Sequence, residues 1–240
     1  AAYGNIEDLP GVPDLALISI PAPAVLGALK QLGEKGTRAV IIMSAGFGET
    51  GEAGKKAEQE ILKLADEYRM TIIGPNCSGF LTPVYSGKFA GIIPKLVPGR
   101  IDFVSGSGAT VDYVMEEAVT KGLQFSTVVN LGNSIQMGVE DVLELLDENH
   151  GPESSKTVLI YMESVQKPQK LLKHVRSLIT KGCTFIGIKS GVSEAGAKAA
   201  ASHTGAMATD DSAVQALFDK AGIIRVASKM ELIDAACALS

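Results

Sequence analysis

DLALISIPAPAVLGALKQLGEKGTRAVIIMSAGFG, residues 14–48, is the stretch on which the fold turns. Asp14 to Ile20 is a short apolar run stopped by Pro21-Ala22-Pro23. Val25, Leu26, Leu29 and Leu32 then recur at helical spacing, and Ala39 to Met43 is a second apolar run ending in Ser44-Ala45-Gly46-Phe47-Gly48. The order is strand, turn, helix, strand, loop. It continues with a helix over Glu52–Tyr68, burying Ala57, Ile61, Leu64 and Ala65, and a third strand over Thr71–Ile73. Buried strands that alternate with amphipathic helices predict a parallel sheet, because parallel neighbours require a crossover. In such sheets ligands sit outside the carboxyl ends of the strands. The three loops that follow these strands are Pro21-Ala22-Pro23, Ser44-Ala45-Gly46 and Gly74-Pro75-Asn76-Cys77-Ser78-Gly79, so they should line one rim and form one groove. Asn76 and Cys77 place an amide and a thiol in a turn that needs neither.

Composition narrows the function classes. A chain of 240 residues, 46% hydrophobic and 20% charged, suits one large or two small globular domains. With 26 glycines and 5% aromatics it favours a turn-rich α/β protein over a β-sandwich or a nucleic-acid binder that works by stacking. A net charge of -5 gives no general attraction to nucleic acid or anionic lipid, so any phosphate binding must be local. Cys77, Cys183 and Cys237 match neither a metal-ligand spacing nor a disulfide framework, which predicts no metal site and a cytoplasmic location. No apolar run is long enough for a membrane span, and no charged-then-apolar leader opens the chain.

From Phe80 to Leu96 the pattern turns irregular, and Pro98-Gly99 opens a new unit, so the expected domains are 1–97 and 98–240. In the second, strands over Ile101–Val104, Phe125–Leu131, Lys156–Met162, Phe185–Ile188 and Ile223–Val226 alternate with helices over Ala109–Lys121, Val139–Leu146, Leu171–Ile179, Ala213–Ala221 and Met230–Leu239. Ser228 and Glu231 have the spacing of a capping box for the last helix. Five strands alternating with five helices suggest a flavodoxin-like parallel-sheet domain. His150, in a polar loop, and His174, on a lysine-rich helix carrying Lys167, Lys170, Lys173, Arg176 and Lys181, are expected to be solvated.

Two turns in this half carry the chemistry. Ser105-Gly106-Ser107-Gly108 follows a strand and opens a helix, so free backbone amides and the helix N-terminus make it a candidate phosphate site. His203 lies in Ala-Ala-Ala-Ser-His-Thr-Gly-Ala, a run of small residues through which main-chain amides can approach an anion. Glu163, at the end of the strand VLIYM, projects at the same carboxyl rim. An imidazole attacks phosphorus through one nitrogen only if the other holds the proton, and a carboxylate bonded to that N–H fixes the tautomer.

The words GVSEAGAKAAASHTGAMATDDSAVQALF, SGSGA, IPAP, SAGFGE and GPNCSG, in their order here, resemble the NDP-forming acyl-CoA synthetases, the family that includes the α subunit of succinyl-CoA synthetase. The resemblance implies a Rossmann-like CoA-binding domain followed by a flavodoxin-like ligase domain. It implies that His203 carries a phosphoryl group and Glu163 contacts it, with Ser105, Gly106, Ser107, Gly108, Ser202, Thr204 and Gly205 around the phosphate. It also implies that Pro21, Ala22, Ser44, Ala45, Gly46, Asn76 and Cys77 line the coenzyme A site. The substrates implied are coenzyme A, a small carboxylic acid, phosphate, and ADP/ATP or GDP/GTP with Mg on a partner. That partner is an ATP-grasp β-type subunit or domain, in a hetero-oligomer.

The chain departs from the family pattern in two places. The first strand, glycine-rich turn and helix of the CoA-binding domain are not read ahead of Asp14, so a partial domain is expected. Gly191-Val192-Ser193 stands where the family has Gly-Arg-Ser. These departures keep open an alternative, a catalytically inactive CoA-binding regulatory module of the same fold. A nicotinamide-dependent Rossmann enzyme is a poor third reading, because GxGxxG with a downstream ribose-binding acid is absent.

Overall fold

A computed structural model describes residues 1–191 and 211–240. The opening repeat folds as read, with strands β1 (Ala16–Ile18), β2 (Ala39–Ile42) and β3 (Thr71–Ile73) parallel and in the order β1-β2-β3. Helices α1 (Ala22–Lys35) and α2 (Glu52–Tyr68) cross between them. Pro21 and Pro23 start α1 where a missing N–H costs nothing, and Gly36, at φ 108°, ends it in the left-handed conformation. Val25, Leu29 and Leu32 of α1 and Ile61 and Ala65 of α2 close over Val40, Ile42 and Ile72.

The second sheet has seven strands in the order β10-β9-β8-β6-β7-β4-β5. Five of them form the parallel core: β6 (Ile101–Ser105), β7 (Phe125–Asn130), β8 (Thr157–Met162), β9 (Thr184–Lys189) and β10 (Ile224–Arg225). The helices are α3 (Gly108–Thr120), α4 (Val139–Glu148), α5 (Pro168–Thr180), α6 (Asp211–Ala221) and α7 (Lys229–Leu239). Val142, Leu171, Val175 and Phe218 of α4, α5 and α6 pack on one face, and Val111, Met115, Leu232 and Ile233 of α3 and α7 on the other. Numbered from β6, the parallel strands run 2-1-3-4-5, the flavodoxin order predicted from the alternation. Order reverses between β6 and β8, so their carboxyl ends flank the switch-point crevice.

Four local expectations are corrected. The stretch read as irregular contains an antiparallel hairpin, β4 (Gly79–Thr82) and β5 (Tyr85–Lys88), and β4 pairs antiparallel with β7. The large sheet therefore draws on residues on both sides of position 97. His174 is not solvated but 2% exposed, and its Nδ1 lies 2.8 Å from Asp147 Oδ2. The lysine-rich face of α5 meets Asp141, Glu144 and Asp147, spaced three apart on α4. Lys170 bonds Asp141 and Glu144 (2.8 and 2.6 Å) and Lys181 bonds Asp147 (2.6 Å), so the charges form a seam between helices. At α7, Ser228 Oγ accepts from Glu231 N (3.1 Å), but the Glu231 carboxylate reaches back to Ala227 N (2.9 Å) and not to the cap residue itself.

The exposed edge of the small sheet is covered by the larger domain. Gln136 accepts from Ile72 N at 2.6 Å and donates to Met70 O at 3.1 Å, copying the pattern of a neighbouring strand. Ile135 packs into the small domain's core. Among the described residues no helix is long and apolar enough to cross a membrane.

Candidate functional site

Three loops that end strands of the small sheet converge. Ser44 Oγ donates to Ile20 O (2.5 Å) and accepts from Ile20 N (3.1 Å), tying the loop after β2 to the end of β1. Gly46, at φ 105°, lies so close to Ala22 that a Cβ there would sit 3.0 Å from the alanine methyl. Asn76 N donates to Ser44 O at 2.9 Å, bringing in the loop after β3. Pro21, Ala22, Ser44, Ala45, Gly46 and Asn76 therefore share one rim. The Gly46 amide on it is used as well, bonding Glu49 Oε1 at 2.6 Å.

Asn76 and Cys77 face a different neighbour, the carboxyl rim of the large sheet. With Gly106, Ser107, Gly108, Ala109, Asp112, Asn130, Asn133 and Glu163 they line a cavity of about 420 Å³ at the switch point. Gly106 N donates to Tyr161 O at 3.1 Å, and a Cβ at Gly106 would lie 4.0 Å from Glu163 Cγ, so the turn after β6 and the carboxylate after β8 are side by side. Glu163 is half-buried there.

The Ser105–Gly108 turn supplies fewer donors than its sequence suggests. Ser105 is fully buried, and its Oγ accepts from Ser107 N (3.0 Å) and donates to Ser107 O (2.9 Å). Ser107 is the N-cap of α3, accepting from Thr110 N at 3.4 Å. Ser105 and the amides of Gly106 and Ser107 are thus committed to shaping the turn. Among the described residues the amides of Gly108 and Ala109 have no acceptor, and they carry the positive end of the α3 dipole into the cavity.

Cys77 is buried, its Sγ donates to Ile42 O at 3.3 Å, and burial pushes its thiol up to about 11. It is a neutral wall and not a nucleophile at neutral pH. Asn130, fully buried, accepts from Ser78 N (2.6 Å) and donates to Ser105 O (3.4 Å), joining the two turns.

Asn133 does the same between domains. Its Nδ2 donates to Glu49 Oε2 (2.6 Å) and Glu58 Oε1 (2.7 Å), and its Oδ1 accepts from Asn76 Nδ2 (3.3 Å). Burial raises the Glu49 carboxyl, but hydrogen bonds from Asn133, Gly46 and Phe47 outweigh it and hold the group below its ordinary range. Sequence reasoning missed both asparagines, because a single polar residue at a strand end or in a loop has no periodic signature.

Ser202, His203, Thr204 and Gly205, and Val192 with them, lie outside the described residues. Lys189, at the end of β9, does not: it is 4% exposed, and burial pushes its ammonium pKa down. Among the described residues no cluster of His, Cys, Asp and Glu could hold a metal ion. A larger cavity, about 920 Å³, opens at the amino ends of β6, β7 and β8 beside Phe80, Val129, Val142 and Leu146, and contains none of the expected site residues. His150 lines it, half-buried, with burial pushing its imidazole down. Parallel sheets place their chemistry at the carboxyl ends, so the smaller cavity is the candidate site.

Residues 98–239 match the succinyl-CoA ligase like flavodoxin domain, and residues 1–83 match a CoA binding domain. The chain is 38% identical, over 99% of its length, to the acetate–CoA ligase (ADP-forming) I subunit alpha of Pyrococcus furiosus, of which it covers 51%. It is 38% identical over 100% of its length to the 4-hydroxybutyrate–CoA ligase (ADP-forming) of Nitrosopumilus maritimus, covering 34% of that protein. Among solved structures, the dinucleotide forming acetyl-coenzyme A synthetase 1 of Ca. Korarchaeum cryptofilum, in complex with phosphate and ADP, superimposes with a TM-score of 0.87 at 29% identity. That match covers 98% of this chain and 50% of the other. The chain thus spans between a third and a half of the length of these relatives.

Proposed function

The chain belongs to the NDP-forming acyl-CoA synthetase family, and from that premise we propose that it is the α-type part of such an enzyme. In this reading it interconverts acyl-CoA, a nucleoside diphosphate and phosphate with a carboxylic acid, CoA and a nucleoside triphosphate. A phosphate oxygen attacks the thioester carbon; the C–S bond breaks and CoA leaves as the thiol, giving an acyl phosphate. One nitrogen of His203 then attacks phosphorus, the P–O bond to the acyl group breaks, and the carboxylate departs. Finally the terminal oxygen of the nucleoside diphosphate takes the phosphoryl group as the P–N bond breaks, on an ATP-grasp partner that also holds Mg.

Each described residue has a task in this scheme. Glu163 accepts the N–H of the second imidazole nitrogen and so presents the first as nucleophile. The Gly108 and Ala109 amides and the α3 dipole stabilise the phosphoryl oxygens where charge gathers. Asn76 and the neutral Cys77 bound the thioester end of CoA, whose remaining length follows the rim formed by Pro21, Ala22, Ser44, Ala45 and Gly46. The observation that carries the reading is the one cavity of about 420 Å³ in which the Asn76-Cys77 turn, the α3 N-terminus and Glu163 meet.

The test is phosphorylation of the chain by labelled ATP in the presence of an ATP-grasp partner. Wild type should acquire acid-labile, alkali-stable label, His203→Ala none, and Glu163→Gln label more slowly. An unlabelled wild type under conditions where the partner binds nucleotide overturns the proposal and leaves a regulatory CoA-binding module.

A further inference from the structure

The candidate cavity has an electrostatic problem. Its described walls include two carboxylates, Asp112 and Glu163, and no lysine or arginine. A phosphate dianion that enters it meets two free amides and a helix terminus worth about half a charge. Unscreened, the Asp112 carboxylate would cancel that attraction.

The hairpin that the sequence hid supplies the answer. Lys88, the last residue of β5, has a side chain 1% exposed, and its Nζ donates to Asp112 Oδ1 at 2.5 Å and to the carbonyl of Ala90. Asp112 and Ala90 both line the cavity; Lys88 lies behind them. The surroundings keep this pair in place. Gly91 turns the chain at φ 68°, and a Cβ there would come within 2.3 Å of Asp112 Oδ1 and 3.0 Å of Lys88 Nζ. Phe89 N bonds Ser78 O at 3.0 Å, which anchors the hairpin end to the turn that carries Asn76 and Cys77.

We propose that Lys88 is a positioning residue of the phosphate site: a buried counter-charge that neutralises Asp112, so that the α3 N-terminus can hold a phosphate or acyl phosphate. The inference rests on the reading of this cavity as a phosphate site and adds a residue that never touches the ligand. It also accounts for the hairpin, whose β5 strand would otherwise be an edge with no task.

Equilibrium binding of inorganic phosphate to the full chain, followed by calorimetry or phosphorus NMR, tests it without any catalytic step. Lys88→Met preserves the length of the buried stem and leaves Asp112 charged, and is expected to weaken phosphate about tenfold in low salt, with the loss shrinking in molar salt. The double variant Lys88→Met/Asp112→Asn removes both charges and should return to within about threefold of wild type. Asp112→Asn alone keeps the cation and should bind at least about threefold more tightly than wild type, which decides the matter should Lys88→Met not fold. If wild type binds phosphate but Lys88→Met binds it equally well, or the double variant stays as weak as the single, the counter-charge is refuted while the phosphate site stands. A wild-type chain that binds no phosphate refutes both.

Discussion

Replacing Asn133 by aspartate exchanges one atom for another of equal size at the point where the two domains meet. Asn133 Nδ2 donates to Glu49 Oε2 at 2.6 Å and to Glu58 Oε1 at 2.7 Å. Hydrogen bonds to charged acceptors contribute about 1.5–3 kcal/mol each, and both carboxylates are half-buried, so water recovers part of the loss and roughly 3 kcal/mol remains. The new carboxylate also sits against two others. At about 3 Å and an effective dielectric of about 40 the repulsion from each is near 3 kcal/mol, much of which the cluster relieves by taking up a proton. A deficit of about 4 kcal/mol at pH 8 is expected.

The pH dependence separates repulsion from lost packing. In wild type the Glu49 carboxyl is held low, so its contribution is present above the ordinary carboxylate range and fades as pH falls below it. In the variant the crowded carboxyls have folded pKa values above their unfolded ones. The folded state then binds more protons, and the deficit relative to wild type shrinks as pH falls from 8 to 5. Urea unfolding at both pH values is the assay, with Asn133→Ala, which loses the bonds without adding charge, as the reference. A deficit under about 1 kcal/mol at pH 8, or one equal at pH 5 and pH 8, would refute the account of Asn133 as an electrostatic clasp.

The cysteines should differ in reactivity. Cys237 is exposed and Cys77 and Cys183 are buried with raised pKa values, so a thiol reagent at pH 8 should modify one thiol rapidly in folded protein and three after denaturation. Asp147, held down to about 2 although burial alone would raise it, bonds Lys181, Ser177 and His174 across the α4–α5 seam. Asp147→Asn should cost roughly 1–2 kcal/mol at pH 7 after allowance for solvent. Because the folded pKa is depressed, that contribution is present above the unfolded value of about 4 and disappears as pH falls toward 2, where the two unfolding curves should converge. Gly54→Ala would place a Cβ 1.7 Å from Phe47 O at the start of α2, and should lower stability by about 3 kcal/mol in thermal unfolding.

Periodicity made most of the architecture legible. Every strand and helix of the parallel core was marked by apolar spacing, and the three rim loops by Pro, Gly and Ser immediately after a strand, because buried strands and amphipathic helices must repeat their pattern to bury it. The β4–β5 hairpin left no such mark. Gly79, at φ 88°, Pro83 and Gly87 break the alternation, and the pairing of β4 with β7 depends on residues about fifty positions away. The α4–α5 seam was hidden for a related reason: a lysine-rich face reads the same whether it meets water or a row of carboxylates. Ser105 shows a third limit. The word Ser-Gly-Ser-Gly announces a turn with free amides, but only the geometry shows that the Gly106 and Ser107 amides are spent within the fold while those of Gly108 and Ala109 have no acceptor among the described residues.

What remains is why the cavity should lie between domains and not inside one. In the proposed reaction, acyl transfer from CoA to phosphate requires that groups held by two different sheets meet within reacting distance, and misplacement by about 1 Å can cost a hundredfold in rate. The small sheet brings the Asn76-Cys77 turn, and the large sheet brings the α3 amides and Glu163. Neither sheet alone fixes the separation between them. Asn130 bonds the Ser78 amide to the end of β6, Asn133 bonds Asn76 and both Glu49 and Glu58, and Gln136 serves as a strand neighbour for β3. Three amide side chains from one short segment thus set the distance across the crevice. Asn130 and Gln136 do so through backbone partners that do not titrate, whereas the Asn133 clasp, which ends on the Glu49 and Glu58 carboxylates, is the one of the three that pH can loosen.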